Sequence, residues 1–163
     1  MVLRRGRYSF TLVELVIVLL VVGILAAAGV PAIASASGDF ALRAAARSLA
    51  ADLRYARDLA ITQGSSYGIV FTASGYKVVA VPGAAVDAAS TPITHPVKHQ
   101  PWDVSLAKDR IRLNASFPGA SGVCFDSTGA PSPAGSVVLR LSSRALTLSV
   151  ETATGRVSVA VGG

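Results

Sequence analysis

The sequence predicts an α+β protein in which one long N-terminal helix leads into a domain of antiparallel β-strands. No charged residue occurs from Leu15 to Gly38, a run longer than the about 20 apolar residues that span a bilayer as a helix. Beyond residue 64, short runs of alternating apolar and polar residues are separated by turn residues, which is typical of β-strands. We therefore expect an apolar helix over residues 10–38 and a globular domain over residues 39–163.

Composition limits the classes of function. The 163 residues carry a formal net charge of +6, but three of the 15 basic residues, Arg4, Arg5 and Arg7, precede the apolar run. Removing the first nine residues leaves 12 basic and nine acidic residues, so the pI of 10.1 overstates the argument for a nucleic-acid binder. The single cysteine, Cys124, excludes an intramolecular disulfide and is predicted to be a buried small apolar residue.

Glu14 is a carboxylate near the start of the apolar run. A charged side chain inside a transmembrane segment costs about 2.5–3.5 kcal/mol, so we expect Glu14 to have a partner or a task. The alternative is a carboxylate solvated at the level of the lipid headgroups. The arginines before the run place the N-terminus in the cytoplasm and the remaining chain outside.

The stretch from Ser9 to Glu14, followed by the apolar run, resembles the type IV prepilin signal. The resemblance implies that a prepilin peptidase cuts between Ser9 and Phe10, so that residues 1–9 are a leader peptide, and that the amine of Phe10 is then methylated. It also implies that Glu14 of an incoming subunit neutralises the N-terminal amine of its neighbour during assembly. Ser9 stands where the family usually has glycine. An ordinary secretory signal would instead be cut after the apolar run, near residues 26–28.

Gly23 and Pro31 interrupt the apolar helix. Proline removes a backbone hydrogen bond and clashes with the preceding turn, so we expect a kink or local melting near Pro31. The resemblance implies that the segment between these residues unwinds in a filament, and a simple kink is the alternative. The polar residues at 37–39 are expected to loosen or re-cap the helix before it resumes.

From residue 40 to residue 61, apolar side chains recur at spacings of three and four, which predicts a helix with one apolar face. That face comprises Leu42, Ala45, Leu49, Leu53, Ala56 and Ala60. Arg43, Arg47 and Arg54 lie on another face. Asp58 follows Arg54 by four residues and is expected to pair with it. A solvated arginine face is the favoured interpretation, and the alternative is a basic stripe that contacts neighbouring subunits or a polyanion.

Gly64 is the expected C-cap of this helix, and the chain beyond it is predicted to be β. The predicted strands are Tyr67–Thr72, Tyr76–Val81, Ile111–Ala115, Gly122–Phe125, Ser136–Leu141, Ala145–Val150 and Arg156–Val161. Residues 145–150 and 156–161 alternate apolar and polar side chains, so these two strands are expected to bury one face. The predicted assembly is antiparallel sheet wrapped around the apolar face of the 40–61 helix.

Residues 82–101 are rich in proline, alanine and serine and are predicted to form a long loop that Trp102 anchors onto the domain. His95, His99 and Asp103 are spaced in fours, as metal ligands on a helix would be. The prolines at 96 and 101 oppose a helix, and no further histidine completes a zinc set. No metal or cofactor is therefore predicted.

Residues 51–61 also resemble the helix end of the GspH/FimT-type minor pilins. The run from Phe125 to Gly129 is similar to the strand-turn of that subfamily. Gly155 and Arg156 are similar to its closing Gly-Arg-x-Arg hairpin, with Ser158 in place of the last arginine. In FimT-type proteins this tail motif is linked to DNA binding, but a glycine turn with one solvated arginine is the favoured interpretation here.

No set of nucleophile, base and acid is evident, so the chain is not expected to be an enzyme. The resemblance implies a minor pseudopilin of a type II secretion system, held in the bacterial inner membrane with its domain in the periplasm. The implied partners are other pilin or pseudopilin subunits, prepilin peptidase, the inner-membrane assembly platform and membrane lipid. One alternative is a FimT/FimU-like minor pilin of a type IV pilus, with DNA as a partner. Another is a secreted or monotopic β domain without a filament role.

Overall fold

The structure is a computed structural model that describes residues 11–81, 86, 89–152 and 154–162, without the side chains of 27–37, 161 and 162. The chain divides into two compact units, residues 1–37 and residues 38–163. The predicted cleavage residues Ser9 and Phe10 lie outside the described residues.

The first element is a single helix, α1, over Leu12–Gln63. Its backbone is helical through Gly23 and Pro31, and whether Pro31 kinks the helix stays a prediction. The predicted interruption at residues 37–39 is wrong, because the helix continues through them. Asp39 forms an ion pair with Arg144 instead of capping a new helix start.

In the first unit, the described side chains of α1 from Leu12 to Leu25 are exposed and almost all apolar. Across the described residues, no helix combines the length and the hydropathy needed to cross a membrane.

In the second unit, α1 buries one face. All six residues of the predicted apolar face are buried, and Leu49 and Leu53 are fully inaccessible. The helix ends at the predicted C-cap, because Gly64 adopts a left-handed φ of 62° and the Ser65 N–H donates to the Ala60 carbonyl at 3.3 Å. This bond spans the last turn as in a Schellman motif.

Within the described residues, nine strands form two antiparallel sheets. The five-stranded sheet has the spatial order β3 (Asp103–Ser105), β2 (Gly75–Ala80), β1 (Tyr67–Thr72), β5 (Gly122–Phe125) and β6 (Pro131–Ser132). The four-stranded sheet has the order β4 (Arg112–Ser116), β7 (Gly135–Leu141), β8 (Arg144–Val150) and β9 (Val157–Gly162). A single 3-10 turn, Ala107–Asp109, precedes β4.

The α+β class and all seven predicted strands are confirmed, with strand ends that differ by at most one residue. The two strands that sequence analysis missed, β3 and β6, are only three and two residues long. Runs that short contain too little alternation for the pattern to reveal them.

The main core lies between α1 and the inner faces of both sheets. Leu49 and Leu53 share one hydrophobic cluster with Ile69 of the five-stranded sheet and Leu148 of the four-stranded sheet. A second, smaller cluster lies on the opposite face of β1 and β2, since successive side chains of a strand point to opposite faces. Its members are Val70, Val79, Val81, Val86 and Cys124. Cys124 is thus buried and free, as predicted.

Trp102, the predicted anchor of the long loop, is buried and packs against α1. Its ring centroid lies 5.0 Å from that of Tyr55 on α1 and 4.2 Å from that of His95 in the loop. The His95 Nδ1 accepts the backbone N–H groups of Val97 and Lys98, which fixes the turn that carries it. The Trp102 side chain therefore joins the described part of the loop to the helix.

Asp52 lies beside this contact, half-buried on α1. The Tyr76 hydroxyl donates to its Oδ2 at 2.7 Å, and the Trp102 side chain also donates to this carboxylate. Burial raises the pKa of Asp52 above its usual value, and the two hydrogen bonds and the electrostatic interactions with His95 and Lys98 only partly oppose that rise. Burial also raises the pKa of Tyr76.

The raised pKa of Asp52 predicts a pH-dependent stability. Because the native state binds a proton at higher pH than the unfolded chain, the free energy of unfolding increases as pH falls from neutral towards the unfolded pKa of 3.8. Asp52→Asn removes this titration, so the wild-type chain should gain stability relative to Asp52→Asn between pH 7 and pH 4. Denaturant unfolding across this range measures the difference, with the exposed Asp58→Asn as control. Parallel curves for wild type and Asp52→Asn would contradict the assignment.

Candidate functional site

Glu14 lies in the first turn of α1 with an exposed side chain. Its backbone N–H donates to the Thr11 Oγ1 at 3.2 Å. A threonine at the N-cap with glutamate three residues later is the pattern of a capping box, and a negative charge in the first turn also favours the helix dipole. Glu14 therefore has a local role at the helix start, which the Thr-x-x-Glu spacing could have revealed.

The helix around Glu14 presents a continuous apolar surface. Its large apolar side chains from Leu12 to Leu25 are between 47% and 81% exposed. Monomeric soluble proteins rarely expose contiguous apolar patches of more than a few hundred Å². This surface is therefore suited to contact lipid or the apolar helices of other chains, with one carboxylate at its edge.

Arg43, Arg47 and Arg54 form the predicted exposed stripe on the globular part of α1. At about 100° per residue their side chains fall within about 40° of each other around the helix axis. The expected ion pair between Arg54 and Asp58 is wrong, because the only ion pair within the described residues joins Arg144 to Asp39. An exposed pair contributes only about 0.3–0.5 kcal/mol, and a cation that precedes its acid opposes the helix dipole.

The three stretches that carry the GspH/FimT resemblance meet around Arg57. Arg57 is half-buried, and its Nε is buried without a hydrogen-bond partner among the described residues. A β-carbon at Gly155 would lie 2.7 Å from the Gly129 carbonyl oxygen and 3.2 Å from the Arg57 Cδ. A β-carbon at Gly129 would lie 2.7 Å from the Ile61 Cδ1 and 3.1 Å from the Arg57 Nε. The Arg57 side chain thus packs onto two turns that only glycine fits.

Backbone conformation also favours glycine at these two positions, since φ is 82° at Gly129 and 61° at Gly155. Asp126 fixes the first turn, because its Oδ1 accepts the backbone N–H groups of Thr128 and Ala130 and the Thr128 hydroxyl. These hydrogen bonds lower the pKa of Asp126. The second turn is closed by the Gly155 N–H, which donates to the Glu151 carbonyl at 3.1 Å.

The structure thus places Gly155 in a packing role, whereas Arg156 beside it is exposed. Sequence analysis did not identify Arg57 as a site residue. The available signal was its position next to the apolar face, four residues after Leu53 and three before Ala60. A cation so placed must lay its aliphatic stem on the core.

The histidines of the loop have no shared ligand geometry. His95 packs on Trp102, and His99 is exposed with a left-handed φ of 51°. Within the described part of the chain, no three His, Cys, Asp or Glu side chains converge as a metal-binding group.

Two family profiles match the chain. The profile of type II transport protein GspH matches residues 45–155, and that of the prokaryotic N-terminal methylation motif matches residues 4–30. No protein of curated function matches the sequence.

Solved structures with a similar fold include the minor pseudopilin EpsH from the Type 2 Secretion System of Vibrio cholerae. It is 12% identical with a TM-score of 0.57, and the match covers 74% of this chain and 97% of that chain. The type IV minor pilin FimU of Pseudomonas aeruginosa gives a TM-score of 0.51 in two crystal forms. Its identities are 19% and 20%, with 72% and 73% of this chain and 91% and 87% of FimU covered. These likenesses show a pilin-like fold.

The packing of Arg57 on the glycine turns predicts different costs for two glycine substitutions. Gly155→Ala must displace the backbone at Gly129 and should lower the free energy of unfolding by about 2–3 kcal/mol. Gly119 has a similar φ of 70°, but a β-carbon there would meet no atom within 4 Å, so Gly119→Ala should cost only about 1 kcal/mol. Denaturant unfolding of both variants measures the difference. Equal losses of unfolding free energy would show that the backbone at Gly129 moves away from the new β-carbon without cost.

Proposed function

Because the chain belongs to the GspH family of type II transport proteins, we propose that it is a minor pseudopilin of a type II secretion system. It is assembled into, or at the tip of, a periplasmic pseudopilus. Before assembly it is held in the bacterial inner membrane by the apolar N-terminal helix, with the N-terminus in the cytoplasm and the globular domain in the periplasm. Its role is structural and not catalytic.

The observation that carries this proposal is the exposed apolar surface of α1 with Glu14 at its edge. A surface of this kind needs lipid before assembly and apolar helices of neighbouring subunits after it. The methylation-motif match over residues 4–30 supports processing by prepilin peptidase between Ser9 and Phe10. Cleavage at that bond frees the Phe10 amine, five residues before the start of the uncharged run at Leu15.

The proposed assembly step is neutralisation of that amine by Glu14 of the incoming subunit. Two unit charges 4 Å apart attract by about 1 kcal/mol in water and by about 4 kcal/mol at an effective dielectric constant near 20. The pair therefore gains strength when it moves from the membrane edge to a helix-packed environment. The inner-membrane assembly platform would bring the two subunits together.

The globular domain supplies a rigid surface in this proposal. The exposed stripe of Arg43, Arg47 and Arg54 would face acidic groups of adjoining subunits, since it has no ion-pair partner within the described residues. The Arg57 side chain instead holds the two glycine turns to α1. The rigid packing of the domain suits a subunit that transmits force without catalysis.

A second candidate is a FimT/FimU-like minor pilin of a type IV pilus, with a role in pilus biogenesis or DNA uptake. The likeness to FimU and the exposed Arg156 after Gly155 favour it. Ser158 in place of a second arginine removes one phosphate contact, which weakens a mainly electrostatic interaction. The GspH match over residues 45–155 is the reason that we prefer a type II secretion system to a type IV pilus.

Substitution of Glu14 tests the assembly step. Glu14→Gln keeps the shape of the side chain and its place in the first helical turn but removes the charge. We expect unchanged cleavage of the leader and about a tenfold lower amount of the chain in isolated pseudopili, because the pairing energy is lost.

Thr11→Val is the matched control, because it removes the N-cap hydroxyl and keeps the charge of Glu14. Quantitative immunoblots of pseudopili and of membranes measure incorporation and processing separately. Normal incorporation of Glu14→Gln would contradict the pairing with the Phe10 amine.

A further inference from the structure

A pocket of about 390 Å³ lies between the β1–β2 turn and the segment that enters β4. Its lining residues are Ala73, Ser74, Ala107, Arg110, Ile111 and Arg112. The walls are mostly small or apolar, and the two charged groups are guanidinium groups. The pocket lies away from the stretches of sequence that resemble the GspH/FimT motifs.

Arg110 is held at this pocket by an uncommon backbone conformation. Its φ is 57° and its ψ is 22°, in the left-handed region that non-glycine residues seldom adopt. The Arg110 N–H donates to the Ala107 carbonyl at 3.1 Å, and the Ile111 N–H donates to the Leu106 carbonyl at 3.3 Å. The Leu106 N–H in turn donates to the Ser74 carbonyl at 2.8 Å. The backbone under Arg110 is therefore fixed against the β1–β2 turn.

Arg112 adds a second unfavourable feature. In the antiparallel register of β4 and β7, Arg112 lies directly opposite Arg140, and both side chains are exposed. Like charges at opposite positions of a strand pair repel and destabilise the sheet. Arg144 in the next strand has a carboxylate partner, Asp39, whereas the described residues provide no ion pair for Arg110, Arg112 or Arg140.

We propose that this pocket, which Arg110 and Arg112 line and beside which Arg140 lies opposite Arg112 on the neighbouring strand, binds a carboxylate side chain from an acidic segment of a neighbouring protein subunit. A guanidinium group matches a carboxylate with two parallel hydrogen bonds, and a bound anion relieves the repulsion between Arg112 and Arg140. The identity of the partner as a subunit rests on the proposed function, whereas the anion site itself rests on the three arginines.

The surroundings of the pocket favour a protein segment over nucleic acid. Ala73, Ala107 and Ile111 offer apolar contacts to the stem of an aspartate or glutamate side chain. A small concave site also accepts single side chains more readily than a duplex.

The test is titration of the full-length chain, in micelles of a neutral detergent, with a hexaglutamate peptide. We expect binding at low ionic strength that weakens with salt. Arg112→Gln and Arg140→Gln should each weaken binding by about tenfold, since each removes a charge-assisted contact. The same two variants should raise the thermal midpoint of the unliganded chain, because each removes the repulsion between opposed arginines. If either arginine had only a structural role, its replacement would not raise the thermal midpoint and at the same time weaken hexaglutamate binding.

Lys108→Gln is the matched control. It removes one positive charge near Arg110 from a side chain that neither lines the pocket nor lies opposite Arg112. We expect affinity to fall by less than about threefold, because long-range attraction is lost but no charge-assisted hydrogen bond is lost. The proposal is overturned if hexaglutamate does not bind at low salt, or if Lys108→Gln weakens binding as much as Arg112→Gln. If duplex DNA at a concentration equal to that of the peptide displaced it, the assignment of the partner as a protein would be overturned.

An experiment that refutes the anion site can be told apart from one that refutes the proposed function. Loss of hexaglutamate binding in Arg112→Gln does not depend on leader cleavage or on filaments. Conversely, a chain that never enters pseudopili would refute the proposed function while leaving the peptide titration unchanged.

Discussion

The burial of one face of α1 between two antiparallel sheets is the constraint on which the remaining structure depends. Leu49 and Leu53 are fully inaccessible, and both sheets turn their apolar faces towards them. Once this face is filled, the remaining positions of the helix must lie at its edges or in solvent. Arg57 at the edge lays its stem on the glycine turns, and the stripe that begins at Arg43 remains on the outside. The packing of one helix face therefore positions both the structural and the surface arginines.

The candidate functional features lie where local rules of stability are broken. The apolar surface of residues 12–25 is exposed, and Arg110 adopts a left-handed conformation without being glycine. Arg112 and Arg140 face each other with the same charge. In a sequence that otherwise agrees with its fold, such conflicts are expected at sites that contact partners. These conflicts mark the surfaces that are best suited to contact other molecules.

Periodicity predicted the parts of the fold that local sequence determines. The apolar face of α1, the seven longer strands and the glycine C-cap all follow from side-chain spacing and backbone preference. The continuity of the helix through Asp39 could not be predicted, because Arg144, more than one hundred residues later in the chain, pairs with it. The contact of Arg57 with Gly129 and Gly155 is equally non-local. The opposition of Arg112 and Arg140 requires the strand register, which single strands do not specify.

The central claim, that this chain is processed and assembled as a pilin-like subunit, is tested most directly by the N-terminus and intact mass of the protein isolated from membranes. The account predicts a chain that begins at Phe10 and carries one methyl group on its amine. Such a chain retains the apolar helix and Glu14 in the position that the proposed assembly step needs. A chain that begins near Gly29, or one that retains Met1, would contradict prepilin processing and with it the proposed assembly role.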